Sequence, residues 1–234
     1  MFKFLIKTSH KKIARLIIGL VLIALCASIF GYIGPIYGKP SIWSTFFNLS
    51  VGMEMAAFVL PLVTLFVGFS IFEIIGTSYF EVIEIRAGER KDDLNAFMVL
   101  AFFVAFLIEL TFLVTVVIKG VLTGISTDSK YLGAALIEFW LQLIDIYVFL
   151  LFMLLIQLIF KKTGLTFLFG SVYTILVFGS LKGLLPFNRP IIAGTELFFL
   201  GRKLISPAYS FLGLIWLIIM VIAIKITAIK LYEK

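Results

Sequence analysis

Apolar residues in this chain gather into six long runs, separated by short polar stretches. A helix that crosses a bilayer needs about 20 mostly apolar residues, and each run is of that order. The pattern predicts helices over residues 14–34, 53–75, 96–118, 133–160, 165–185 and 208–229. Charges inside these runs are few: Glu54 and Glu73 near the ends of the second, Glu109 in the third, Glu138 and Asp145 in the fourth, Lys182 in the fifth and Lys225 in the sixth. The expected fold is a single all-α transmembrane domain over residues 1–234, with an even number of spans and both termini on one side. No linker, low-complexity tract or internal repeat interrupts it, which speaks against an inverted-repeat secondary transporter.

Lys and Arg placement chooses the side. With both termini inside, the inner segments hold Lys3, Lys7, Lys11, Lys12, Arg15, Arg86, Arg90, Lys91, Lys161, Lys162, Lys225, Lys230 and Lys234. The outer ones hold only Lys39, Lys119, Lys130, Lys182, Arg189, Arg202 and Lys203. The termini are therefore expected in the cytoplasm. Residues 1–12, MFKFLIKTSHKK, mix apolar and basic positions and suit an amphipathic segment on anionic lipid; the plainer reading is the basic flank of a first span. Residues 186–207, punctuated by Pro186, Pro190 and Pro207, are too short and polar to span twice. They suit an outer hairpin that dips into the leaflet, shielded by protein.

Composition strengthens the membrane reading. Hydrophobic residues make up 62% and charged residues 14%, with 26 Phe; soluble domains are about half apolar and a quarter charged. The lone Cys26 and the lone His10 leave no intrachain disulfide and no set of zinc ligands. The net charge of +7 follows from cytoplasmic Lys and Arg and implies no nucleic acid. The N-terminus imitates a secretion signal, but no A-x-A site follows, and the uncharged run continues to Gly38, so a retained first span is expected.

Several motifs are decoys. GPIYGKPS at 34–41 has the wrong spacing for a phosphate-cradling loop, with Pro40 after Lys39. Ser9–Lys12 matches S-x-x-K and Lys162-Thr163-Gly164 matches K-T-G, but both flank spans. Asn48-Leu49-Ser50 is a sequon that abuts a span. HExxH and GxSxG do not occur, and no nucleophile–base pair is evident. The chain is expected not to be an enzyme and to bind no cofactor itself.

Acids within spans are costly and usually face a bundle interior or water. Glu138, Gln142 and Asp145 recur at helical spacing and share a stripe of the fourth span, and Glu109 lies in the third. They suit a polar lining for a cationic or amphipathic substrate, or structural bonds between helices, or pairing with Lys119, Lys130 or Lys182. Pro61 and Gly68 permit a kink and close packing in the second span. Gly179 and Gly183 offer a packing face in the fifth.

Residues 78–97, SYFEVIEIRAGERKDDLNAF, carry eight charges, although the whole chain has only 20 Lys and Arg and 13 Asp and Glu. The six-span layout and this loop, above all FEVIEIRAGERKDDL, resemble the membrane (permease) subunit of an ATP-binding-cassette exporter of the type-2 permease class. The resemblance implies a cytoplasmic ATP-binding subunit holding ATP and Mg, a second permease chain, and a substrate path between the permeases. It implies that the loop docks on the ATPase. Tyr79, Phe80 and Ile83 would be anchors of the kind interfaces favour. Glu81, Glu84 and Arg86 would set register, and Arg90 would belong to the same docking surface. Gly88 would end a short helix, and Asp92 or Asp93 would cap the third span. The expected substrate is amphipathic or peptidic, as in export of or immunity to antimicrobial peptides, in a bacterial plasma membrane. The alternative is an ATP-independent immunity or sensor protein that binds a toxin or partner within the membrane.

Overall fold

The computed structural model describes residues 10–30, 41–51, 59–72, 90–127, 129, 132–178, 215 and 218–227. They form helices α1 (His10–Phe30), α2 (Ile42–Val51), α3 (Leu60–Phe72), α4 (Arg90–Leu122), α5 (Leu132–Phe160), α6 (Thr163–Phe178) and α7 (Ile218–Thr227). Among the described residues there is no strand, only an isolated parallel bridge between Ser41 and Ser126.

Two stretches, Phe97–Leu122 in α4 and Gln142–Phe160 in α5, are long and apolar enough to cross a membrane. At 33 and 29 residues, the whole helices are about 50 and 43 Å long, against a hydrocarbon core of about 30 Å. The fourth apolar run coincides with α5 to within one residue. The third is shorter than α4, which extends outward to include Arg90 and Leu122. Arg90 is already helical, so Asp92 and Asp93 lie inside α4 and not at the position before it. The first run starts later than α1, which already includes His10. Of the second, fifth and sixth runs, α3, α6 and α7 cover the described parts. The segment 1–9, the hairpin 186–207 and the Gly179–Gly183 pair lie outside the described residues.

Helix α2 is an addition. Hydropathy predicts a connection over residues 35–52, yet Ile42–Val51 is helical. Its start is specified locally by a reciprocal capping box. The Ser44 N–H donates to Ser41 Oγ at 3.1 Å, and the Ser41 N–H donates to Ser44 Oγ at 2.9 Å. Both serines are buried, so these bonds replace water the helix end cannot reach. The Ile42 N–H donates to the Ser126 carbonyl at 2.9 Å. Ser126 is delivered by the C-terminus of α4, which closes in a Schellman turn: Ile125 N–H donates to the Gly120 carbonyl at 2.9 Å and Gly124 N–H to the Val121 carbonyl at 3.1 Å. Gly124 takes φ +68° to make that turn, a region glycine enters without steric cost. The end of α4 and the start of α2 are thus stitched together.

Helix α5 is the hub. It packs on α2, α3, α4 and α6, while α1 packs on α3 and α4. Accordingly α5 is buried on several sides, through Leu143, Val148, Leu150, Leu151, Met153 and Leu154. At Gly68 on α3, an added Cβ would lie 2.8 Å from Leu150 Cδ2 and 2.9 Å from Met153 Sδ. The missing side chain is what lets α3 approach α5, the packing use expected of this residue. Outward faces remain apolar. Ile18, Leu22, Leu25 and Ile29 form an exposed stripe on α1, and Phe103, Leu107, Val114 and Ile118 are exposed on α4. In water such patches would drive association; next to acyl chains they are at home, which supports membrane association.

Local geometry predicts opposite outcomes for similar substitutions. Gly124→Ala should destabilise the protein by about 1 kcal/mol, because alanine resists positive φ. Ser41→Ala should lose about 1 kcal/mol through the cap. Gly133→Ala, in α5 with no atom within 4 Å of the added Cβ, should be neutral or stabilise by about 0.5 kcal/mol. Thermal unfolding of the detergent-solubilised protein checks all three.

Candidate functional site

Among the described residues, a buried polar contact lies where α4 meets α5. These helices are antiparallel: Phe102 on α4 meets Tyr147 on α5 edge-on at 5.6 Å, and Phe106 meets Phe139 at 6.2 Å. This register brings Glu109 to Gln142. With the amide oriented nitrogen toward the acid, Gln142 donates to Glu109 Oε1 at 3.1 Å and to Oε2 at 3.3 Å. Glu109 has no solvent exposure and Gln142 only 3%. A carboxyl group here cannot reach water, so its free energy depends on neighbouring donors.

Asp145 follows Gln142 by three residues on α5, on the same stripe, and is also buried. The structure therefore brings Glu109 and Gln142 together across α4 and α5, with Asp145 buried on the same stripe of α5 as Gln142. Glu138 belongs to α5 one turn before Gln142; its side chain lies outside the described residues. On α4 the residues either side of Glu109 are apolar. Ala105, Ile108 and Phe112 are fully buried, and Phe112 contacts Phe46 of α2 with ring centroids 5.2 Å apart. Helix α2 thus closes one flank of the polar layer, a role the sequence reading did not assign to it. The signal was present as Ser41-x-x-Ser44 after Pro40, a capping pattern.

Two further polar contacts join helices. Thr166 Oγ1 on α6 donates to Gln157 Oε1 on α5 at 2.5 Å, inside the core. The Lys119 ammonium on α4 donates to the Ser28 carbonyl near the end of α1, where a cation also complements the negative helix terminus. Thus Lys119, weighed as a partner for an intramembrane acid, has a backbone carbonyl among its contacts. Lys130 and Lys182 lie outside the described residues.

Chemically, the layer accepts hydrogen bonds and cationic or donor groups. Among the described residues no group of three or more His, Cys, Asp and Glu is placed to share a metal ion. Of the expected ATPase-docking residues, Arg90 is at the start of α4. Tyr79, Phe80, Glu81, Ile83, Glu84, Arg86 and Gly88 lie outside the described residues. Comparison with models of known families, with curated proteins and with solved structures finds no match to this chain.

The Glu109–Gln142 contact should behave as a coupled pair. Gln142→Leu leaves a buried carboxyl group with a lost donor and should destabilise by about 1–3 kcal/mol. In the Glu109→Leu background the same change should be milder by about 1 kcal/mol, the scale of coupling between membrane helices. A double-mutant cycle on unfolding midpoints checks this.

Proposed function

We propose that the chain is the transmembrane subunit of an ATP-driven exporter, moving an amphipathic or peptide substrate together with a separate cytoplasmic ATPase and a second permease chain. The observation that carries the reading is the buried polar contact of Glu109 and Gln142 between α4 and α5, with Asp145 buried on the same stripe of α5. Buried polar groups at membrane depth commonly mark substrate routes. The exposed apolar faces of α1 and α4 support the membrane setting; the proposed multi-pass arrangement in a bacterial plasma membrane has both termini cytoplasmic, the side that the Lys and Arg bias favours. Residues Tyr79 to Arg90 would form the ATPase contact, with ATP and Mg bound by that partner. Substrate passage would require α4 and α5, or two copies of the chain, to part around the layer.

A second reading is favoured by the closure of that layer: an ATP-independent immunity or sensor protein, which binds a peptide toxin or partner and needs no motor. Affinity purification from native membranes separates the two. The exporter reading expects a stoichiometric ATP-hydrolysing subunit to co-purify; its consistent absence would favour the second reading.

Charge reversal in the loop tests the docking role. The double variant Glu84→Lys/Arg86→Glu should insert normally yet lose about tenfold or more in ATPase capture, as mismatched interface charges do. Full capture and transport by this variant would refute the assignment.

A further inference from the structure

We infer that the turn between α5 and α6 is a contact site for anionic phospholipid headgroups, with Lys161 and Lys162 as the recognising groups. The inference rests on the membrane placement proposed above, and not on the exporter role.

The two helices form a tight antiparallel hairpin whose turn is fixed from within. Lys161 takes a left-handed conformation, φ +50°, and its N–H donates to the Gln157 carbonyl at 2.9 Å, an αL closure of α5. The Lys162 carbonyl accepts from the N–H groups of Leu165 at 3.1 Å and Thr166 at 3.3 Å, starting α6. Just inside, the buried Thr166–Gln157 hydrogen bond ties the two helices. The turn's backbone is thus used internally, while both lysine side chains are exposed.

Charge distribution selects the occupant. No Asp or Glu occurs between Asp145 and Glu196, and from Ile146 to Leu181 the only charged residues are Lys161 and Lys162. Large exposed side chains beside the turn are apolar among the described residues. Ile159 and Phe160 flank the lysines on α5, and Phe167 and Phe169 follow on α6. Phe160 and Phe169 stack across the hairpin, with rings 5.7 Å apart and 14° from parallel. Two cations at the tip of a hairpin that carries no other charge from Ile146 to Leu181, above an aromatic pair, match a bilayer boundary. The rings meet acyl chains and the ammonium groups meet phosphate. Each lysine at an anionic leaflet contributes about fivefold in binding, so the pair should select anionic lipid by roughly tenfold or more.

The test uses the full-length protein, reconstituted in equal parts phosphatidylcholine and phosphatidylglycerol and analysed for retained lipid by native mass spectrometry. Wild type should retain phosphatidylglycerol roughly tenfold over phosphatidylcholine, and this preference should weaken in high salt. Lys161→Gln/Lys162→Gln should lose most of it with an unchanged gel-filtration profile, and Lys161→Arg/Lys162→Arg should keep it. Equal retention by wild type and the Gln variant overturns the inference. So does a Gln variant that keeps the lipid preference and loses only ATPase capture, which would make the turn a protein contact. Recovery of wild type from cells without detergent would instead overturn the membrane placement itself.

Discussion

Inside an apolar helix bundle a polar side chain has to be satisfied by another element of the bundle, since neither acyl chains nor packed Phe and Leu offer a partner. Glu109 and Gln142 meet that constraint across α4 and α5. Much of the architecture is arranged around their meeting. The antiparallel aromatic pairs Phe102–Tyr147 and Phe106–Phe139 hold the register. A shift of α4 by a single residue along α5 would turn Glu109 about 100° away from its donor. Helix α2 covers the flank through Phe46, and it is held there by the Ser41 cap and by the Ser126 carbonyl. A polar contact of about 1 kcal/mol contributes little to total stability. Its weight lies in the penalty for any packing that leaves Glu109 without a donor.

Periodicity along one helix was easy to read and pairing between helices was not. The stripe of Gln142 and Asp145 follows from spacing alone, because three residues nearly complete a helical turn. That Glu109 should face Gln142 depends on where α4 stops, on the loop through Gly124 and on ring contacts far along the chain. The bounds of α5 were legible because its apolar run coincides with the helix. Those of α4 were not, because hydropathy registers lipid exposure and is blind to the charged but helix-compatible residues Arg90, Lys91, Asp92 and Asp93. Helix α2, 10 residues long, is too short for a test built on membrane thickness. Its cue was the cap Ser41-x-x-Ser44, a signal of a different kind. Gly68 was legible as a small residue, and the structure supplies the side chains, Leu150 and Met153, that need the space.

The same economy of charge links structure to the proposed role. Among the described residues, polar groups lie inside the bundle, as in the Glu109–Gln142 and Gln157–Thr166 contacts, where they can shape what enters it, or at turns and ends such as Lys161 and Lys162, where water and headgroups are available. Between them the helix surfaces are apolar. This division is what a protein needs if lipid surrounds it and polar substrate groups pass within it. The charged segment of residues 78–97 would then be the place where energy from a water-soluble partner enters, since the sequence offers no phosphate-cradling loop of its own.

All of this depends on α5 crossing the bilayer. The most direct measurement places single cysteines at its two ends, at Ser129 and Lys162, both exposed, after replacing Cys26 with serine. An impermeant maleimide is then applied to intact and to permeabilised cells. The account predicts that the cysteine at 129 reacts from outside intact cells and the one at 162 only after permeabilisation. Equal reaction of both from the same side would contradict it.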